Sequence, residues 1–167
     1  MSAAVSAAAP AAPTAADHVT FRVAGQWLGL PVSVVHEVLR GQRIDAVPLA
    51  PPAVAGFLNL RGQIVTSVDL RLALAARGAP DAEDGGYDVV VRDDDELFAL
   101  LVDDMGDVAP VEPDDVEPPP ATLAPSWRAA CTGAVRRADD VLLLLDLPRL
   151  LAHDGALGCA AELRTAV

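Results

Sequence analysis

The side chains best able to do chemistry in this chain are few and scattered. Asp103, Asp104 and Asp107 form one short carboxylate group, and Asp93-Asp94-Asp95-Glu96 another. Clustered carboxylates suit a hard cation, but the spacing of an EF-hand loop, its central glycine and its closing glutamate are missing. The first group therefore reads as a solvated strand end, the second as a charged hairpin turn. His18, His36 and His153 stand alone, without the close spacing of a zinc site. Cys131 and Cys159 lie far apart, and two cysteines in 167 residues make no disulfide framework, so reduced thiols are expected. No Ser-His-Asp or Cys-His arrangement, glycine-rich phosphate loop or facing pair of carboxylates can be assembled. The expectation is a protein with no enzyme activity, no metal and no cofactor.

Arg61 is better placed for recognition than for catalysis. It lies between two apolar runs, Gly56-Phe57-Leu58-Asn59-Leu60 and Ile64-Val65-Thr66-Ser67-Val68-Asp69-Leu70. Ahead of them, Pro48, Pro51 and Pro52 hold the backbone extended, because proline fixes its own φ and pushes the preceding residue toward β. Gly62 takes positive φ at little cost, so the segment predicts strand, tight turn, strand, with a glycine bulge at the turn. Arg61 would then stand at the tip and offer a planar fork of donors to a neighbour.

The elements around this hairpin follow from alternation and turn chemistry. Val19–Val23 and Trp27–Leu30 predict two strands about Gly25-Gln26, and Pro31 and Ser33 open a short helical turn through Val35. Val38-Leu39 return to extended structure. Arg71–Arg77 predicts one or two helical turns ending at Gly78, and Pro80–Gly86 is a polar, glycine-rich link. Tyr87–Val91 and Leu97–Val102 predict strands about the acidic turn, and the proline-dense stretch Val108–Pro125 is extended or looped. Cys131–Val135 and Val141–Leu145 form a last hairpin, and Pro148–Leu151 a last short helix. Many short strands with frequent turns predict an all-β protein built from small barrels.

Composition narrows the partners. The chain is 52% hydrophobic, carries a net charge of −12, and all twelve of its Lys+Arg residues are arginine. That balance supplies no basic face for nucleic acid and no attraction to an anionic membrane. The Ala/Pro-rich residues 1–17 lack the basic and Leu-rich regions of a signal peptide and read as a disordered tail. No apolar run reaches the length of a membrane span. A cytoplasmic protein is expected.

The ordered set of motifs is more specific than any one of them. Phe21-Arg-Val-Ala-Gly-Gln-Trp-Leu-Gly-Leu-Pro31-Val, then His36-Glu37-Val38-Leu39-Arg40, then the Pro48–Gly62 segment come first. Leu100-Leu-Val-Asp103-Asp-Met-Gly-Asp107-Val108, Glu117-Pro-Pro-Pro120, Thr132-Gly133 and Leu143-Leu-Leu-Asp146-Leu147 follow. Across roughly residues 18–152 this series resembles the CheW family, adaptors that couple chemoreceptors to the CheA histidine kinase. The resemblance implies two SH3-like five-stranded β-barrels packed together with short helices. The first would span roughly 24–80 and the second roughly 86–147, with strand exchange at the ends and a weakly structured tail at 153–167. It also implies a non-catalytic role. The partners would be the regulatory domain of a CheA-type histidine kinase and the cytoplasmic tip of chemoreceptors, with recruitment to membrane receptor arrays and no direct membrane contact.

The resemblance implies that Glu37 and Arg61, at the matching positions, form a functional pair affecting coupling to receptor and kinase. A structural ion pair pinning the short helical turn to the hairpin would use the same residues. Val35, Val38, Phe57 and Leu58 are candidates for an apolar partner-binding patch, although each also suits a core position. Gly56, Asn59 and Gly62 would shape the backbone beside it. Thr66-Ser67 stand where the family usually has a proline, and Ala99 where it usually has a glycine, which bears on local contacts more than on fold. The same module serving a pilus or other non-flagellar output, and a small-ligand-binding β-barrel, are the alternative functions.

Overall fold

The computed structural model describes residues 15–50, 53–74 and 86–152. The expected C-terminal tail, the link near residue 80, Pro51, Pro52, His153, Cys159 and most of the N-terminal tail lie outside these. The chain order is β1 (Ala16–Val23), β2 (Gln26–Pro31), β3 (Val35–Arg40), β4 (Val54–Leu60), β5 (Gln63–Asp69), α1 (Leu70–Ala73), β6 (Tyr87–Asp93) and β7 (Glu96–Val102). Then come β8 (Asp104–Val111), β9 (Val116–Glu117), α2 (Pro125–Ala130), β10 (Cys131–Arg136), β11 (Val141–Leu145) and α3 (Leu147–Ala152). Single 3-10 turns at Val32–Val34 and Pro113–Asp115 complete it.

The strands form two sheets. One has the order β8-β1-β2-β11-β10-β9, the other β3-β6-β7-β5-β4. The expected all-β class with two SH3-like barrels holds, with one difference in count: the two-residue β9 makes the first sheet six-stranded. The division by sheet is not the division by sequence at 24–80 and 86–147. The five-stranded sheet takes β6 and β7 from the later half, with β5 running parallel to β7. The six-stranded sheet takes β1 and β2 from the early half, with β2 parallel to β11. Parallel neighbours need a long connection between them, so each sheet must borrow strands from distant chain. The start shifts too, since Ala16 and Asp17, assigned to the tail by sequence, belong to β1.

Period-2 alternation explains three apolar layers. Phe98 and Leu100 of β7, with Val89 and Val91 of β6, face the core shared with Phe21, Leu28, Leu143 and Leu145 of the other sheet. The intervening Val90, Leu97 and Ala99 turn the other way, onto Leu58 and Val65. Leu142 and Leu144 likewise turn away from the shared core onto Val111. The central strands are therefore apolar on both faces, which is why Leu97–Val102 and Val141–Leu145 read as unbroken hydrophobic runs.

α2 was not expected from the sequence. Pro125 stands at its first turn, where the missing N–H costs nothing, and Trp127 and Ala130 are buried.

Candidate functional site

Glu37 lies on β3 and Arg61 in the β4–β5 turn, and β3 and β4 are the two opposite edges of the five-stranded sheet. Curling of the sheet brings these edges together. Asp45, in the chain between them, exchanges two backbone hydrogen bonds with Phe57, donating to its carbonyl at 2.8 Å and accepting from its N–H at 2.9 Å. At the other end of the seam Arg61 closes the gap. Its Nη1 donates to Glu37 Oε1 at 3.0 Å and its Nη2 to Oε2 at 3.1 Å. This is the two-pronged arrangement that a guanidinium makes best with a carboxylate. His36 Nε2 lies 3.7 Å from the same Oε1.

Backbone conformation puts Arg61 there. Leu60 pairs with Gln63, and Arg61 and Gly62 have φ of 52° and 88°. Two central residues with positive φ define a two-residue type I′ turn, so no bulge is needed at the tip. The Asn59 side chain accepts from the Gly62 N–H at 2.8 Å and holds the turn. The bulge lies instead between Val54 and Gly56. Gly56, at φ 149°, sits so close to the chain that a Cβ there would stand 2.2 Å from the Asp45 carbonyl oxygen. Only glycine lets the Asp45–Phe57 bridge form.

The other expected partner-binding residues separate by burial. Leu58 is buried with Val65 inside the five-stranded sheet and presents nothing to a partner, which corrects its place in the apolar patch. It follows from alternation, since Leu58 points opposite to Phe57 and Asn59. Val35 is half-buried against the shared core, and Gly56 is buried. Val38 remains 40% exposed. Phe57 and Asn59 pair with Thr66 and Ile64, so these four share one face of the hairpin. Ile64 was not singled out by sequence, yet it is 69% exposed. Its signal was its place in the alternation opposite Val65.

Asp93–Glu96 forms the expected hairpin turn between β6 and β7, but Asp103 departs from expectation. Asp103 is 8% exposed and not a solvated strand end. Its Oδ1 accepts from Arg71 Nε at 3.0 Å, and its Oδ2 from Arg71 Nη2 at 2.5 Å and from the Ala24 N–H at 2.7 Å. The Asp93–Glu96 turn with Phe98 lines a hollow of about 220 Å³. Among the described residues, no three His, Cys, Asp or Glu side chains are grouped to hold a metal ion. Burial pushes the Cys131 thiol up to about 11, so it is protonated and unreactive near neutrality. No helix among the described residues is long and apolar enough to cross a membrane.

Comparison with known proteins decides the family. The model of the CheW-like domain matches residues 17–155. The chain belongs to the CheW-like domain family. It is 28% identical over 138 residues to the chemotaxis protein CheW of Treponema pallidum, covering 80% of this chain and 81% of that one. The chemotaxis protein CheW of Helicobacter pylori is 24% identical over 136 residues, covering 81% of each. The crystal structure of the scaffolding protein TtCheW from Thermoanaerobacter tengcongensis superposes with a TM-score of 0.75 at 26% identity. That match covers 88% of this chain and 94% of the other.

Proposed function

We propose that this protein is a non-catalytic chemotaxis adaptor that couples the cytoplasmic tips of chemoreceptors to the regulatory domain of a CheA-type histidine kinase. The observation that carries the reading is the Arg61–Glu37 clamp at the seam of one sheet, with Val38 exposed on β3 and Ile64 exposed on β5. A CheW-like fold and relatives named for chemotaxis and scaffolding support it.

The mechanism needs no bond-making. Holding receptor and kinase on two faces of one rigid body raises their local concentration. A change in receptor conformation reaches the kinase because the two binding free energies are coupled through the shared adaptor. Arg61 is 74% exposed while Glu37 is 19% exposed, so the anchored carboxylate fixes a guanidinium whose outer edge is open to a partner. The protein would work in the cytoplasm, drawn to receptor arrays by its partners.

The test is a titration of the purified protein against the regulatory domain of the kinase and against the receptor tip. Binding to both is expected, with Arg61→Ala weakening at least one of them about tenfold or more. A folded protein that binds neither rejects the reading.

A further inference from the structure

The loop between β3 and β4 carries a residue whose side chain and backbone are both out of place by the usual rules. Val47–Ala50 form a β-turn, with the Ala50 N–H donating to the Val47 carbonyl at 3.3 Å. Pro48 takes the second position and Leu49 the third, with φ of 63° at Leu49. Pro followed by a residue of positive φ is the type II turn, whose third position belongs to glycine or asparagine. A leucine there is strained, because its Cβ crowds the backbone in the left-handed region. Its side chain gains nothing in return, for Leu49 is as open as a residue in an extended chain, at 104%. Ala50, its neighbour, packs against the shared core, so the turn that lifts Leu49 is footed on the folded body.

Glycine at this position would relieve the backbone and remove the apolar exposure together. We infer that Leu49 is an anchor, a single apolar knob that enters a pocket on a protein partner. A single exposed aliphatic is ordinary on a surface, but one held there by strained backbone is explained when the side chain is buried only in the complex. A knob calls for a recess rather than a flat face, and desolvated anchors in pockets carry much of the energy of an interface.

Charge selects the occupant. At a net charge of −12 a second copy of this chain is repelled, as is an anionic membrane, whereas a protein of net basic surface is attracted. The partner is therefore a folded protein of net basic surface that carries an apolar pocket. This inference rests on the adaptor reading.

The experiment measures wild type, Leu49→Gly, Leu49→Asn and Leu49→Met, as full chains, by thermal unfolding and by titration against the kinase regulatory domain and the receptor tip. The glycine and asparagine variants are expected to melt at or above the wild-type temperature and to bind one partner about tenfold or more weakly, with salt weakening the wild-type complex. The methionine variant should restore most of the affinity. Wild-type binding with all four proteins equal overturns the anchor and leaves the adaptor reading standing. Wild type binding neither partner overturns both. Neutral or anionic phosphatidylcholine/phosphatidylserine vesicles that hold wild type but release Leu49→Gly would assign the knob to a lipid surface and overturn a protein pocket.

Discussion

At the scale of single residues, the polar groups that matter are the ones taken out of water. Asp88 is buried, paired in register between Leu39 and Leu101, and its Oδ2 accepts from the Gln42 N–H at 3.2 Å. Its other oxygen has no hydrogen-bond partner. Burial raises its pKa above the ordinary 3.8, more than the hydrogen bond from Gln42 lowers it. The folded chain therefore holds this proton more tightly than the unfolded chain. Stability falls as pH rises from the ordinary carboxylate value through the raised one, and the charged form is a constant penalty above it. Asp88→Asn should be at least as stable as wild type at pH 7 and should lose that part of the acid-range slope. Urea unfolding at a series of pH values checks both, and a variant less stable at pH 7 with an unchanged slope would count against it. Sequence gave no hint of this carboxylate's burial, since Asp88 sits second in a strand beginning Tyr87-Asp88-Val89. Asp103 was hidden for a related reason: its partner Arg71 is 32 positions away, in a helix too short to announce itself.

At the scale of elements, turn chemistry was the most legible part. Arg61-Gly62 between two alternating runs sufficed to place Arg61 at a hairpin tip, because Gly62 takes positive φ without penalty. The turn type was harder, since whether Arg61 also adopts positive φ depends on the strand pairing on either side. That pairing suggests an element-level experiment. Asparagine tolerates the first position of a type I′ turn better than arginine does. Arg61→Asn should therefore keep or raise the melting temperature while losing the fork to Glu37 and, with it, partner affinity. A variant that is both less stable and equally tight in binding would contradict the division of labour between turn and side chain. α2 lay outside what alternation can reveal, since six residues after a proline-dense stretch show no clear helical period.

At the scale of the whole molecule, one carboxylate ties the two sheets. Asp103 joins β7 of one sheet to β8 of the other, grips Arg71 at the start of α1, and caps the β1–β2 turn through the Ala24 N–H. Its own N–H donates to the Arg22 carbonyl at 2.9 Å. Asp103→Ala removes the carboxylate that pairs with the Arg71 guanidinium, whose side chain is only 15% exposed, and should cost about 3 kcal/mol of stability. Chemical denaturation measures it directly, and a loss near zero would show that the sheets are held by the shared apolar layer alone. The likeness to a known family made the two barrels legible from sequence. Their strand assignment was not, because local pattern names strands without naming their neighbours.

The exchanged strands have a consequence in time. β2 cannot finish its sheet until β11 arrives more than a hundred residues later, and β5 must wait for β7. Pairings this distant carry a large loop-closure entropy before any contact rewards it, which slows folding. As the chain leaves the ribosome, its early strands have edges with no native partner, and a fragment ending in the 75–85 link would keep them. The native topology thus makes folding a late, all-at-once event, with the newborn amino-terminal half the stage most exposed to aggregation.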